Sequence, residues 1–181
     1  MNIPVLALVT SHYTLDKQNA GLREHMAGRA DFLGAVRLPS DTFKQEGTKV
    51  VTDILFLKRR PLGEAANHVH PGWLETAPLA IEGVDVAINR YFLERPEMVL
   101  GTWSCQDRLY GSESHYSVTG NGDLAAKLRT AIERLPQGVL SGTVDPGRPP
   151  PLTPAFNPPP PLPHIGEGSF FLAEDRTILQ L

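Results

Sequence analysis

Residues 32–60 read FLGAVRLPSDTFKQEGTKVVTDILFLKRR, two apolar runs joined by a polar loop. Phe32 to Leu38 is apolar at most positions and stops at Pro39, which has no N–H to give a strand ladder. Val50 to Leu57 is rich in β-branched residues and is broken only by Thr52 and Asp53. Near-continuous apolar runs of this length suit strands covered on both faces, as in α/β proteins. A buried helix is the rival reading, and the β-branched residues with the flanking Pro39 and Gly47 argue against it.

Working outward, Pro4–Thr10 is a first apolar run, followed by a polar loop from Ser11 to Lys17 in which Asp16 is an N-cap candidate. From Gln18 to Ala30, Leu22, Met26 and Ala30 fall four apart and predict an amphipathic helix. Strand, helix, strand then predicts a right-handed crossover with Phe32–Leu38 parallel to Pro4–Thr10, and the short loop returns Thr48–Arg59 antiparallel beside it. The fold class expected is therefore α/β: one end of an open, Rossmann-like sheet whose final strand is antiparallel. Residues 1–60 make that sheet portion. Residues 61–143 read as a mixed extension, with Leu62–Leu79 irregular, Ile81–Phe92 a short helix, and a helix from the cap Asp123 to Leu135 that Pro136 closes. Between Asp145 and Pro163 ten of nineteen residues are proline, so 144–164 is a semi-rigid linker. Residues 165–181 begin a further element, with Phe170–Leu172 and Thr177–Leu179 as a hairpin candidate.

The formal charge of −3 hides a gradient: about +3 over residues 1–60 (nine Lys/Arg, six Asp/Glu), −4 over 61–143 (six, ten) and −2 beyond (two, four). The single cysteine, Cys105, excludes an internal disulfide framework and a multi-thiolate zinc site. No stretch approaches the roughly 20 apolar residues of a membrane span, and a cytoplasmic location is expected.

With these elements placed, a resemblance becomes visible. LALVTSHYTLDK (6–17) and LREHMAGRADFLGAVRLPSDTFKQEGTKVVTDILFLKRR (22–60) resemble the later half of an N6-adenine-specific DNA methyltransferase domain. The likeness is to methylases fused to helicases in phage- and plasmid-type proteins and, more distantly, to type I modification subunits. INRYFLERPEMVLGTW (88–103) and LYGSESHYSV (109–118) resemble the segment that follows. The resemblance implies methyl transfer from S-adenosylmethionine to adenine N6, with DNA, the missing earlier half of the methylase and a helicase domain as partners. The first strand here would be the family's fifth. The family's glycine turn for S-adenosylmethionine and its Asn/Asp-Pro-Pro-Tyr/Phe motif do not precede Pro4, so a fragment inactive by itself is expected, with no catalytic residue in this chain. Asn157-Pro158-Pro159-Pro160 echoes that motif but has proline in place of the stacking aromatic. The alternative is a non-catalytic DNA-binding or interaction module.

On the same resemblance, Phe43 would pack on a flipped adenine and Tyr13 would line the base or cofactor side, each against a plain structural role. Arg37, Lys44 and Lys49 are candidate DNA-phosphate contacts, against solvated loop cations. Asp53 either orients the loop or marks where the strand becomes exposed. Adjacent Ser11 and His12 point to opposite faces of an extended segment, which argues against a catalytic pair. His68, His70 and His115 lack the convergent carboxylates or thiolates a metal site needs.

Overall fold

The computed structural model describes residues 5–105 and 116–137 and the backbone of 170–172 and 178–180. The linker 144–164, the Asn157 motif and His115 lie outside the described residues.

The first three strands are β1 (Val5–Ser11), β2 (Ala30–Leu38) and β3 (Thr52–Arg59), and they form a sheet in the order β1-β3-β2. The expected parallel pairing of β1 with β2 is corrected. The two run in the same direction, but β3 lies between them and pairs antiparallel with both. The loop after β2 is closed by a hydrogen bond from Val50 N–H to Ser40 O (3.0 Å), which sends β3 back along the inner edge of β2. β1 therefore meets β3 instead. Among the described residues there is no Rossmann-like parallel sheet; the fold is mixed α/β, built of small antiparallel sheets. One isolated parallel bridge joins Arg37 to Val99.

Two short helices span the crossover, α1 (Tyr13–Asp16) and α2 (Gly21–Ala27). Asp16 does not cap α2; it ends α1 and is buried. The buried face of α2 is also one residue off the expected stripe: Leu22 is 56% exposed, while Arg23 is 1% exposed. The Arg23 stem fills the interior, and its guanidinium donates to Leu74 O (3.0 Å) and Lys17 O (2.7 Å).

The segment expected to be a short helix, Ile81–Phe92, is corrected to a hairpin and a single helical turn. Strands β4 (Thr76–Ile81) and β5 (Val84–Asn89) pair antiparallel, and α3 (Arg90–Glu94) follows. Glu82 (φ 49°) and Gly83 (φ 85°) form a two-residue connection with both residues at positive φ, the geometry whose twist matches a hairpin. Strands β6 (Gly101–Ser104) and β7 (Ser117–Gly120) form another antiparallel pair. Helix α4 (Leu124–Glu133) is capped by Asp123 as expected, its carboxylate accepting from the N–H groups of Ala125 (2.9 Å) and Ala126 (3.3 Å). In the Thr143–Leu181 unit, β8 (Phe170–Leu172) and β9 (Ile178–Gln180) pair antiparallel.

The core is centred on β2, which is buried on both faces. The Phe32 ring stacks on Trp73 (4.6 Å, 5°) and meets Tyr91 edge-on (5.1 Å). A bulge between Phe32 and Gly34 shifts the register. Gly34 sits at φ 153°, and a Cβ there would lie 2.5 Å from Leu135 Cδ2 and 3.0 Å from the Tyr91 hydroxyl, so glycine is required.

Candidate functional site: a closed ion-pair cluster and an open sheet edge

Arg37 on β2 stands opposite Asp53 on β3 in the ladder, so both side chains project from the same face of the sheet. Each is fully buried. The guanidinium grips the carboxylate with two hydrogen bonds, Nε to Oδ1 (2.7 Å) and Nη2 to Oδ2 (2.8 Å). Its remaining nitrogen, Nη1, meets Asp16 Oδ2 (2.9 Å) and donates to the Tyr116 hydroxyl (2.9 Å), which in turn donates to Asp16. The Phe92 ring covers the guanidinium face at 4.1 Å. Asn89 extends the cluster: its N–H donates to Asp16 Oδ1 (2.8 Å), and its side-chain amide donates to Leu15 O (2.9 Å) and Trp73 O (2.7 Å). Residues from β2, β3, α1 and β5, with Tyr116 just before β7 and the turn carrying Trp73, are thus tied to one cation.

Burial alone would disfavour the charged guanidinium, but the carboxylates of Asp16 and Asp53 outweigh it and hold the Arg37 pKa well above its ordinary value. Burial pushes the Asp53 carboxyl up to about 6; Arg37 opposes that rise and the nearby Asp16 charge adds to it. Burial, with the two carboxylates, also raises the Tyr116 phenol, which keeps its proton and acts as a donor. His12 is buried beside the cluster, its ring 4.1 Å from Tyr13 and 5.2 Å from Tyr116, and burial lowers its pKa. Every Arg37 nitrogen has a hydrogen-bonding partner, and the Phe92 ring covers the guanidinium face. The residues of the cluster are buried. Its chemistry is cohesion.

The arrangement corrects two sequence expectations. Arg37, a candidate phosphate contact, is consumed in the core and presents no charge to solvent. Asp53 neither marks an exposed strand end nor orients the loop; it is the partner of Arg37. Phe43 is half-buried and packs against the core from the loop after β2. Tyr13 is 47% exposed and stacks on His12. Lys44 and Lys49 line a recess of about 190 Å³ with Ser40, Asp41, Val118, Thr119 and Gly120. Asp41 and Glu46 in the same loop match the two lysines in charge, so the loop is neutral. His68 accepts from the Phe32 N–H at Nδ1 (3.1 Å), and His70 packs on Tyr91. The Cys105 thiol lies 3.5 Å from Ile81 O, its pKa raised by burial and by Glu82. Among the described residues no His/Cys/Asp/Glu group is arranged to hold a metal, and no helix is long and apolar enough to cross a membrane.

A second feature is on β1. Its pattern of alternating exposure expected of a packed strand is absent: Leu6 is 53%, Leu8 37% and Val9 56% exposed, and Ala7 is exposed between them. β3 pairs with one edge of β1, and the other edge has no partner strand among the described residues. The signal was in the sequence, where Val5–Ser11 contains no charged residue and no proline.

No family model and no solved structure matches this chain. Over 58 residues it is 40% identical to "Defense against restriction protein B" of Escherichia phage P1. That segment is 31% of this chain and only 3% of the phage protein, so the chain spans a small part of the relative's length. The methyltransferase resemblance is corrected on this finding: the protein matched is named for defence against restriction. Among the described residues the parallel sheet expected of the methyltransferase fold is also absent. S-adenosylmethionine, adenine methylation and the helicase domain rested on that resemblance and are not carried further. Over 31% of its length the chain is similar to a phage protein named for defence against restriction.

Proposed function

We propose that this chain is a non-catalytic interaction module serving defence against restriction in a phage-type system, and that it works through the open edge of β1. The observation that carries this reading is the uncharged, doubly exposed strand Val5–Ser11 beside a sheet whose polar groups are otherwise locked inside. An exposed apolar edge is a template for strand addition, in which main-chain hydrogen bonds supply affinity and alternate side chains supply selectivity. The buried cluster of Arg37, Asp53, Asp16 and Tyr116 supports a rigid scaffold, since its charges are paired and hydrogen-bonded in the core. The relationship to the phage protein supplies the biological setting.

The test is plating of unmodified phage on a restricting host that expresses the chain. Survival should rise with the native chain and fall back with Leu8→Lys/Val9→Lys, while the purified variant melts as the native protein does. Protection unaffected by the edge variant would refute the reading, as would strand cleavage or base modification of DNA by the purified chain.

A second reading has its own observation. Lys44 and Lys49 share a recess with the Thr119–Gly120 segment, which suits a DNA phosphate. Two such contacts would give a log–log salt slope of about −2, which Lys44→Ala would reduce by about one.

A further inference from the structure

We infer that the open edge of β1 pairs with the same edge of a second copy of this chain, antiparallel about Leu8, so that two three-stranded sheets join into one of six strands. This inference rests on the docking role proposed for β1 and names its occupant.

Natural edge strands are protected by charge, proline or a covering element. Val5–Ser11 has neither a charged residue nor a proline, and its apolar residues are exposed on both faces. A strand that completes this edge must itself offer a free edge of the same neutral, apolar kind. The chain carries one. Two identical charged strands would set like charges opposite each other, whereas these meet without any such opposition.

The hydrogen-bond phase of β1 gives an independent check. The His12 N–H donates to Val51 O (3.0 Å), and the ladder continues without a break through Ser11↔Thr52 and Thr10↔Asp53. In an antiparallel pair, successive residues turn their main-chain groups alternately toward and away from the partner. Leu6, Leu8 and Thr10 therefore face β3, and Val5, Ala7, Val9 and Ser11 turn theirs to the open edge. The one antiparallel register that overlaps all seven residues of β1 with a second copy centres on Leu8. It sets Val5 against Ser11 and Ala7 against Val9, each an outward-turned residue meeting another. The two Leu8 residues then form the close, non-hydrogen-bonded pair at the centre. In this register full overlap and main-chain phase agree.

The faces match as well. A two-fold axis perpendicular to the sheet reverses the strand and keeps its faces. Leu6 and Leu8 of one copy would lie beside Thr10 and Leu8 of the other. On the reverse, Val5, Ala7 and Val9 of both copies would extend the strip begun by half-buried Ile54 and Phe56 of β3. Each exposed apolar side chain of β1 gains a neighbour.

The solution mass of the full 181-residue chain, followed across a hundredfold range of concentration, tests this. It should rise from 19.8 kDa toward twice that value. Leu8→Lys and Leu8→Glu should each weaken self-association at least tenfold while leaving the melt unchanged at concentrations where the native chain is monomeric, and an equimolar mixture of the two should restore the dimer by setting Lys against Glu. Hydrogen exchange at the Ala7, Val9 and Ser11 amides should slow with concentration. A mass of one chain throughout, or a dimer indifferent to Leu8→Lys, would overturn the pairing. If the chain is a monomer and those amides exchange rapidly, the second-copy pairing fails while the open-edge reading stands. If the chain is a monomer and they are protected, both fail.

Discussion

Val36 and Val9 flank the same residue, Ile54 on the central strand β3, from opposite sides. Val36 on β2 is fully buried, and Val9 on β1 is 56% exposed. The contrast repeats along the sheet: Ala35 and Leu8 flank Leu55, and Arg37 and Thr10 flank Asp53. The outer edge of β2 is covered, with the Val69 N–H donating to Phe32 O (3.1 Å), the Phe32 N–H to His68, and the Leu100 N–H to Arg37 O (2.9 Å). β1 has nothing equivalent among the described residues. The described residues after β3 pack around β2 and leave β1 bare, so one edge of a small sheet serves stability and the other is the edge proposed to bind.

The largest effect should come from the covered side. Arg37→Ala leaves Asp53 buried without its cation, and removing one partner of a buried pair destabilises by about 3–5 kcal/mol. Thr10→Ala, on the other side of the same aspartate, removes a half-buried hydroxyl bonded to Thr14 (2.6 Å) and should cost only about 1 kcal/mol. Urea unfolding of both variants, at concentrations where the chain is monomeric, measures the pair. Equal losses would erase the asymmetry.

The matched valines sharpen it without touching charge. Val36→Ala removes two buried methyl groups and should cost about 2 kcal/mol, whereas Val9→Ala should cost under about 0.5. Gly34→Ala probes the bulge that bends β2. A Cβ at positive φ, pressed against Leu135, should cost about 1–2 kcal/mol in the same assay.

How far the sequence carried the fold follows the distance over which each feature acts. The runs that became β2 and β3 and the Asp123 cap were legible because their signals are local. Strand order was not, since nothing in residues 1–60 states whether β3 joins the outer or the inner edge of β2. The β4–β5 hairpin was legible in principle: Leu79, Ile81, Val84, Val86 and Ile88 alternate on either side of Glu82-Gly83, but a glutamate at positive φ is an uncommon turn residue. The Arg37–Asp53 pair left a trace, two opposite charges each breaking an apolar run on strands joined by one loop. Asp16, Asn89 and Tyr116 left none, because they converge on Arg37 from 21, 52 and 79 residues away along the chain. The Arg23 stem disguised the buried face of α2, since its charge reads as surface while its methylenes fill the interior.

The smallest effect concerns His12, the residue at which the bare strand enters the covered cluster. Burial lowers its pKa, Arg37 adds to the lowering, and Asp16 and the Val51 carbonyl oppose it. Above the unfolded-state value of about 6.5, histidine is neutral in both states and contributes no pH dependence. As pH falls below that value, the unfolded chain takes up a proton that the folded chain resists, so the unfolded state binds more protons and stability declines with acidification. His68 and His70, also lowered by burial, push the same way. Asp53 acts oppositely at lower pH: with its folded pKa raised to about 6, the native state takes up the extra proton and the histidine decline is partly offset. Unfolding free energies should therefore fall by less than about 1 kcal/mol for His12 between pH 7.5 and 6, since one proton is worth at most about 1.4 kcal/mol per pH unit. His12→Asn should flatten that slope and leave Val9→Ala as mild as before. A slope unchanged in His12→Asn would place the acid sensitivity at His68 and His70, on the covered side of the sheet, and detach it from β1.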